Sequence, residues 1–169
     1  MMRMLSWKVV VALQLAVLLF ISGSYYAAGM YGKEIAIKTK PVDPSDLLYG
    51  DYVTLNYEIS DVDPSLWPGK WKSRDEDIYV VLTKDKGQHY TVKKLSKERP
   101  EVSGSDVAIK AQAAPGWSET KETISLTYGL ERFYVKDNTG TALEKKAGNM
   151  TAVVKIAPWG QVRLLELKD

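Results

Sequence analysis

Twenty-four consecutive residues, Val9 to Gly32, carry no charge, and before Ser22 only Gln14 among them has a strongly polar side chain. A bilayer core takes about 20 such residues in a helix. The run therefore reads as a transmembrane anchor occupying residues 1–32. Tyr25, Tyr26 and Tyr31 cluster at its far end, where an aromatic belt lies at the headgroups. A cleaved leader is the alternative, with residues 9–21 as its apolar region and Ser22-Gly23-Ser24 as a small-x-small cleavage triplet. The uncharged run continues past that triplet, which favours a retained anchor. Arg3 and Lys8 face Lys33, Lys38 and Lys40 across the span, so counting positive charges nearly ties. A short tail ahead of a long domain points to an inner-membrane protein with its amino terminus in the cytoplasm and its domain outside.

Residues 33–169 fit a single domain, since domains commonly run about 100–150 residues. Of the 23 Lys and Arg in the chain only Arg3 and Lys8 precede Lys33, so this domain carries 21 basic and 21 acidic side chains. A neutral domain lacks the electrostatic footprint of a nucleic-acid binder. With no cysteine there is no disulfide, no thiol nucleophile and no thiolate metal site. The lone His89 excludes a multi-histidine zinc site, and a His-dependent triad would have to use it. No cofactor and no metal is implied.

The pattern after the anchor is that of strands. Residues 34–40 alternate with Ile35 and Ile37 on one face, and residues 51–59 alternate with Val53, Leu55, Tyr57 and Ile59 inward. Further strands are expected at 78–83, 89–95, 107–111, 123–128, 152–156 and 162–167, bounded by Gly, Pro, Asp and Lys. Lys84–Gly87 reads as a hairpin loop and Pro158-Trp159-Gly160 as a tight turn. Thr141-Ala142-Leu143-Glu144 fits a capping box, with Gly148 ending a helix of about two turns. Residues 60–77, with Pro64, Pro68 and Gly69 among charges, read as the loosest segment. The expectation is a mainly β domain with one short helix, an antiparallel barrel or sandwich.

Pro41-Val42-Asp43-Pro44 leads into Gly50-Asp51-Tyr52-Val53-Thr54-Leu55-Asn56-Tyr57. This resembles the bacterial GDYxxLxY family, with Gly50, Asp51, Tyr52, Leu55 and Tyr57 matching its namesake octapeptide. The order of parts is also similar: anchor, Pro-Asp-Pro approach, motif, then a Tyr-Gly-Leu-Glu-Arg-Phe-Tyr-Val stretch, here Tyr128–Val135. The resemblance implies membrane association and a multipass membrane protein as partner; it carries over no activity and no catalytic residue. Physically, Gly50 permits a positive φ at the turn into the strand, and Asp51 can accept hydrogen bonds from turn amides. Leu55 and Tyr57 share parity and face the core, while Tyr52 lies on the opposite face. The motif then reads either as a strand-starting turn with core aromatics, or as Asp51 and Tyr52 offering a contact pair.

Enzyme-like patterns are incomplete. Residues 44–53 are similar to the stretch after the anchor of type I signal peptidases, but Pro41 or Val42 stands where the nucleophilic serine belongs. Ser118-Glu119-Thr120-Lys121 matches S-x-x-K without its companion motifs. Asp61/Asp63 and Asp75-Glu76-Asp77 could ligate calcium but lack an EF-hand pattern. Trp67 and Trp71 form a possible contact loop able to stack on a sugar, enter the bilayer interface, dock a partner or cover the core. Lys93, Lys94, Lys97 and Arg99 read as a solvated strand edge. The reading is an interaction module, with an envelope ligand sensor at Tyr52 or Trp67/Trp71 as the alternative and a carboxylate or Ser/Lys hydrolase behind it.

Overall fold

The computed structural model describes residues 7–41, 52–69, 71, 75–117, 122–134 and 148–168. The uncharged run forms the helix α1, Trp7–Tyr31, whose side chains stand exposed along almost its whole length. It is long and apolar enough to cross a membrane. Its last intrahelical bond runs from Gly32 N to Ala28 O at 3.0 Å. A side chain at Gly32 would put its Cβ 2.5 Å from Ala28 O and 3.2 Å from Lys155 Cβ, so this close approach needs glycine. The helix has no basic residue in its last turn. Instead Lys155 reaches in and donates from Nζ to Gly29 O at 2.6 Å, placing a cation at the negative end of the helix dipole.

The strands are β1 (Lys33–Lys40), β2 (Tyr52–Thr54), β3 (Asn56–Tyr57), β4 (Asp61–Val62), β5 (Glu76–Lys84), β6 (Tyr90–Ser96), β7 (Val107–Trp117), β8 (Glu122–Thr127), β9 (Arg132–Tyr134), β10 (Thr151–Ile156) and β11 (Val162–Lys168). All pairings are antiparallel. One sheet runs β11-β10-β1-β3, a second β4-β8-β7-β5-β6, and β2 pairs with β9 alone. Register shifts at Val153/Val154 and Val81/Leu82 bend the strands, and the sheets include a curled half-barrel. Ile35, Ile37, Val53, Ile78, Leu82, Ile109, Ile124 and Val154 fill one continuous core between the sheets. The mainly β, antiparallel expectation is met.

The expected strands at 34–40, 78–83, 89–95, 123–128, 152–156 and 162–167 are present within two residues of their predicted ends; the loop expected at 84–87 lies between Lys84 and Tyr90, and the turn at 158–160 is present. Three differences are instructive. First, β7 runs on to Trp117 through Ala113-Ala114-Pro115-Gly116, a stretch poor in strand formers. Pairing with β8 from Gln112↔Thr127 to Trp117↔Glu122 carries it, and Pro115 falls beyond the last residue paired with β5, where a missing N–H costs no ladder bond on that side. Second, the segment expected to be loosest is built in as far as Trp67. Ser60 is buried, β4 pairs with β8, and Pro64–Leu66 form a 3-10 helix whose start is capped by Asp63 Oδ1 accepting from Ser65 N at 2.9 Å. Third, the expected strand 51–59 is split at Leu55. The helix expected at Thr141–Glu144 lies outside the described residues, although Gly148, its expected stop, packs against Pro41 in a turn.

Candidate functional site

The split at Leu55 is where the motif segment changes sheets. β2 pairs with β9 through Tyr52↔Tyr134, Val53↔Phe133 and Thr54↔Arg132, whereas β3 pairs with β1 through Lys40↔Asn56 and Thr39↔Tyr57. Between them Leu55 N donates to Glu131 O at 2.8 Å. Alternation survives the switch: Val53, Leu55 and Tyr57 are buried, and Tyr52, Thr54 and Asn56 are half-buried on the other face.

Two tyrosines lock the segment in place by reaching across it in opposite directions. The Tyr57 hydroxyl donates to Leu130 O at 2.6 Å, and the Tyr128 hydroxyl donates to Ile59 O at 2.7 Å. Glu131 adds a third tie, since its Oε1 accepts from Tyr128 N at 2.6 Å while its backbone carbonyl holds Leu55. Burial pushes both phenols above the ordinary tyrosine range, and the negative charge of Glu131 pushes further in the same direction. Both therefore remain protonated donors at neutral pH.

The outward face of the same strand pair is different in character. The Tyr52 and Tyr134 rings lie 6.0 Å apart with planes inclined by 59°, and the Arg132 guanidinium carbon sits 5.3 Å from the Tyr52 ring centroid. Tyr134 is 71% exposed. Tyr52, Arg132 and Tyr134 make an aromatic and cationic ledge held by the locked strand beneath it. Such a surface can offer stacking and cation–π contacts.

A family model for the GDYXXLXY protein matches residues 14–167. The chain belongs to the GDYXXLXY family. No curated protein and no solved structure matches it. In this GDYXXLXY protein the motif thus divides its labour: Leu55 and Tyr57 belong to the core, and Tyr52 to the ledge. Gly50 and Asp51 lie outside the described residues. Sequence reasoning singled out Tyr52 but missed Arg132, Tyr134 and the two roles of Glu131. The signal was the aromatic stretch after Tyr128; its pairing with the motif spans more than 70 positions and has no local mark.

The other candidates take more ordinary places. The Trp67 ring is only 5% exposed and meets Trp71 edge-on at 4.7 Å between centroids, with Lys97 Nζ 5.4 Å from the Trp67 ring centroid. Trp67 covers the end of the core, and Trp71, half-buried, is the member left to meet solvent. Asp61 pairs with Lys40, Glu76 with Lys97 and Asp77 with Lys110. Among the described residues no group of three or more His, Asp and Glu could hold a metal ion. Lys93 and Lys97 lie on or beside the edge strand β6, and Lys93 binds Asp106 at 2.7 Å. That bond, with a second from Thr83, holds the Asp106 carboxyl below the usual range. His89 Nε2 lies 3.4 Å from Thr151 Oγ1 beside the strand. Pro41 is exposed and carries no hydroxyl, while Val42 and Ser118–Lys121 lie outside the described residues.

Proposed function

We propose that this protein is a single-pass, membrane-anchored interaction module of a bacterial inner membrane, with residues 1–32 as anchor and residues 33–169 as a domain outside the cytoplasm. Its partner is a multipass membrane protein, met both by the anchor helix and by the domain. The apolar α1 joined to a β domain fits a membrane-anchored module. The observation that carries the interaction reading is the ledge: an exposed Tyr134, a half-buried Tyr52 and Arg132 stand together on strands fixed from behind by Tyr57, Tyr128 and Glu131. Aromatic and arginine side chains on a rigid support are what dominate protein contact energies. The anchor confines the domain beside the membrane, which raises the effective concentration of any membrane-borne partner.

The test is purification of the full-length protein from its own membranes in mild detergent, with identification of what accompanies it. A multipass protein should co-purify with the wild type, be lost with Tyr52→Ala and with Arg132→Glu, and be regained with Tyr52→Phe. Purification of the wild type alone would overturn the accessory role and direct the search to small envelope ligands of the same ledge.

A further inference from the structure

The turn between β10 and β11 runs beside the helix rather than away from it. Trp159, Gly160 and Gln161 face Leu19, Phe20, Gly23 and Ala27 across an open apolar groove of about 870 Å³. At 1.5 Å per residue, the 20 residues from Val9 to Ala28 fill a hydrocarbon layer of about 30 Å, so the groove spans depths from roughly 2 to 13 Å inside its outer edge. Sliding the helix outward to lift the turn clear would draw Lys8 into the hydrocarbon. We propose that the β10–β11 turn is a second membrane element, which inserts Trp159 into the outer leaflet and holds a phospholipid acyl chain in the groove against α1. This rests on the anchor reading of α1.

The chemistry of the turn agrees. Ala157-Pro158-Trp159-Gly160-Gln161 carries no charge. Three bonds close the turn on itself: Gly160 N donates to Ala157 O and Ala157 N to Gln161 O, both at 2.8 Å, and the Trp159 indole N–H donates to Gln161 Oε1 at 3.1 Å. The Pro158 carbonyl accepts from the Arg99 guanidinium, and proline has no N–H to satisfy. Each such bond lowers the cost of bringing the turn's polar groups into lipid. Across the groove the helix offers the large apolar Leu19 and Phe20 and the small Gly23 and Ala27, with the Ser24 hydroxyl turned back onto Ile21 O at 2.7 Å. Below the turn basic side chains outnumber acidic ones. Arg99, Lys155 and Arg163 stand near the carboxyl end of α1, with Lys33 held by the Gly104 and Ser105 carbonyls at 3.0 and 2.8 Å; Glu101 and Asp106 line the same hollow, Asp106 already paired with Lys93. An apolar tip with a cationic collar beneath it matches acyl chains topped by phosphates.

The chain has no cysteine, so single-cysteine spin labelling is direct. Full-length Trp159→Cys, Pro158→Cys, Leu13→Cys and Glu58→Cys proteins are labelled and placed in vesicles of phosphatidylcholine and phosphatidylglycerol. Accessibility to oxygen and to a water-soluble nickel chelate is then read at each site. The expected result is an oxygen-dominated signal at 159 and 158, as at 13, and a nickel-dominated one at 58. A nickel-dominated signal at both 158 and 159 with lipid exposure at 13 overturns the wedge and leaves the anchor standing. Low access to both reagents at 158 and 159 overturns it in favour of a covering protein. Water exposure at 13 as well removes the anchor and the wedge together.

Discussion

Tyr57 and Tyr128 each give a buried hydroxyl to the backbone of the other's segment, so each is at once packing and tie. Tyr57→Phe keeps the ring but leaves Leu130 O without its donor, and should cost about 1–2 kcal/mol in urea unfolding. Tyr57→Ala also removes the ring and should cost about 3–5 kcal/mol, as large aromatic truncations do. Tyr52→Ala, on the outward face, should stay within about 1 kcal/mol of wild type, so contact and core are separable within one octapeptide. The same phenols set a pH limit. They titrate near pH 10 in the unfolded chain and higher in the folded one, so their contribution is complete below about pH 10 and is lost as pH rises above it. The urea midpoint should therefore fall between pH 9 and pH 11, and fall less steeply in Tyr57→Phe.

At the level of elements, the junction of α1 with β10 is made by a glycine and a lysine. Gly32→Val should force the helix away from Lys155 and loosen the domain from the anchor, seen as faster proteolysis at Tyr31–Lys33 in vesicles without loss of the domain's own fold. Lys155→Ala removes the cation from the helix end and should cost about 0.3–1 kcal/mol. The individual strands were largely legible because their signals are local: alternating Ile35 and Ile37, the Lys84–Gly87 loop, and Pro158-Trp159-Gly160. The break at Leu55 was not legible, since alternation continues straight through it and only the Glu131 carbonyl, far along the chain, reveals the change of partner. β4 and β9 were missed for a related reason: each is too short to carry a period of its own and exists because β8 and β2 supply its hydrogen bonds. The part of the loose-read segment up to Trp67 was misjudged because its prolines and charges outweighed Trp67, which packs into the core beside strands remote in sequence.

Over the whole molecule, the candidate site was half visible. Tyr52 was readable as outward from parity alone, but a surface is an assembly of distant residues, and Arg132 and Tyr134 reach it only through the fold. The pairing of β1 with β10 has a further consequence. Lys33↔Ile156 through Lys38↔Thr151 joins the first strand after the helix to the penultimate strand of the chain. The first strand after the helix therefore waits, with Ile35 and Ile37 uncovered by β10, until more than a hundred further residues have been made. Contacts so remote in sequence make folding slow. On the proposed anchored, outward orientation, a nascent chain holds Ile35 and Ile37 bare beside the bilayer throughout that interval, which would make it a client for whatever guards newly exported polypeptides against premature association.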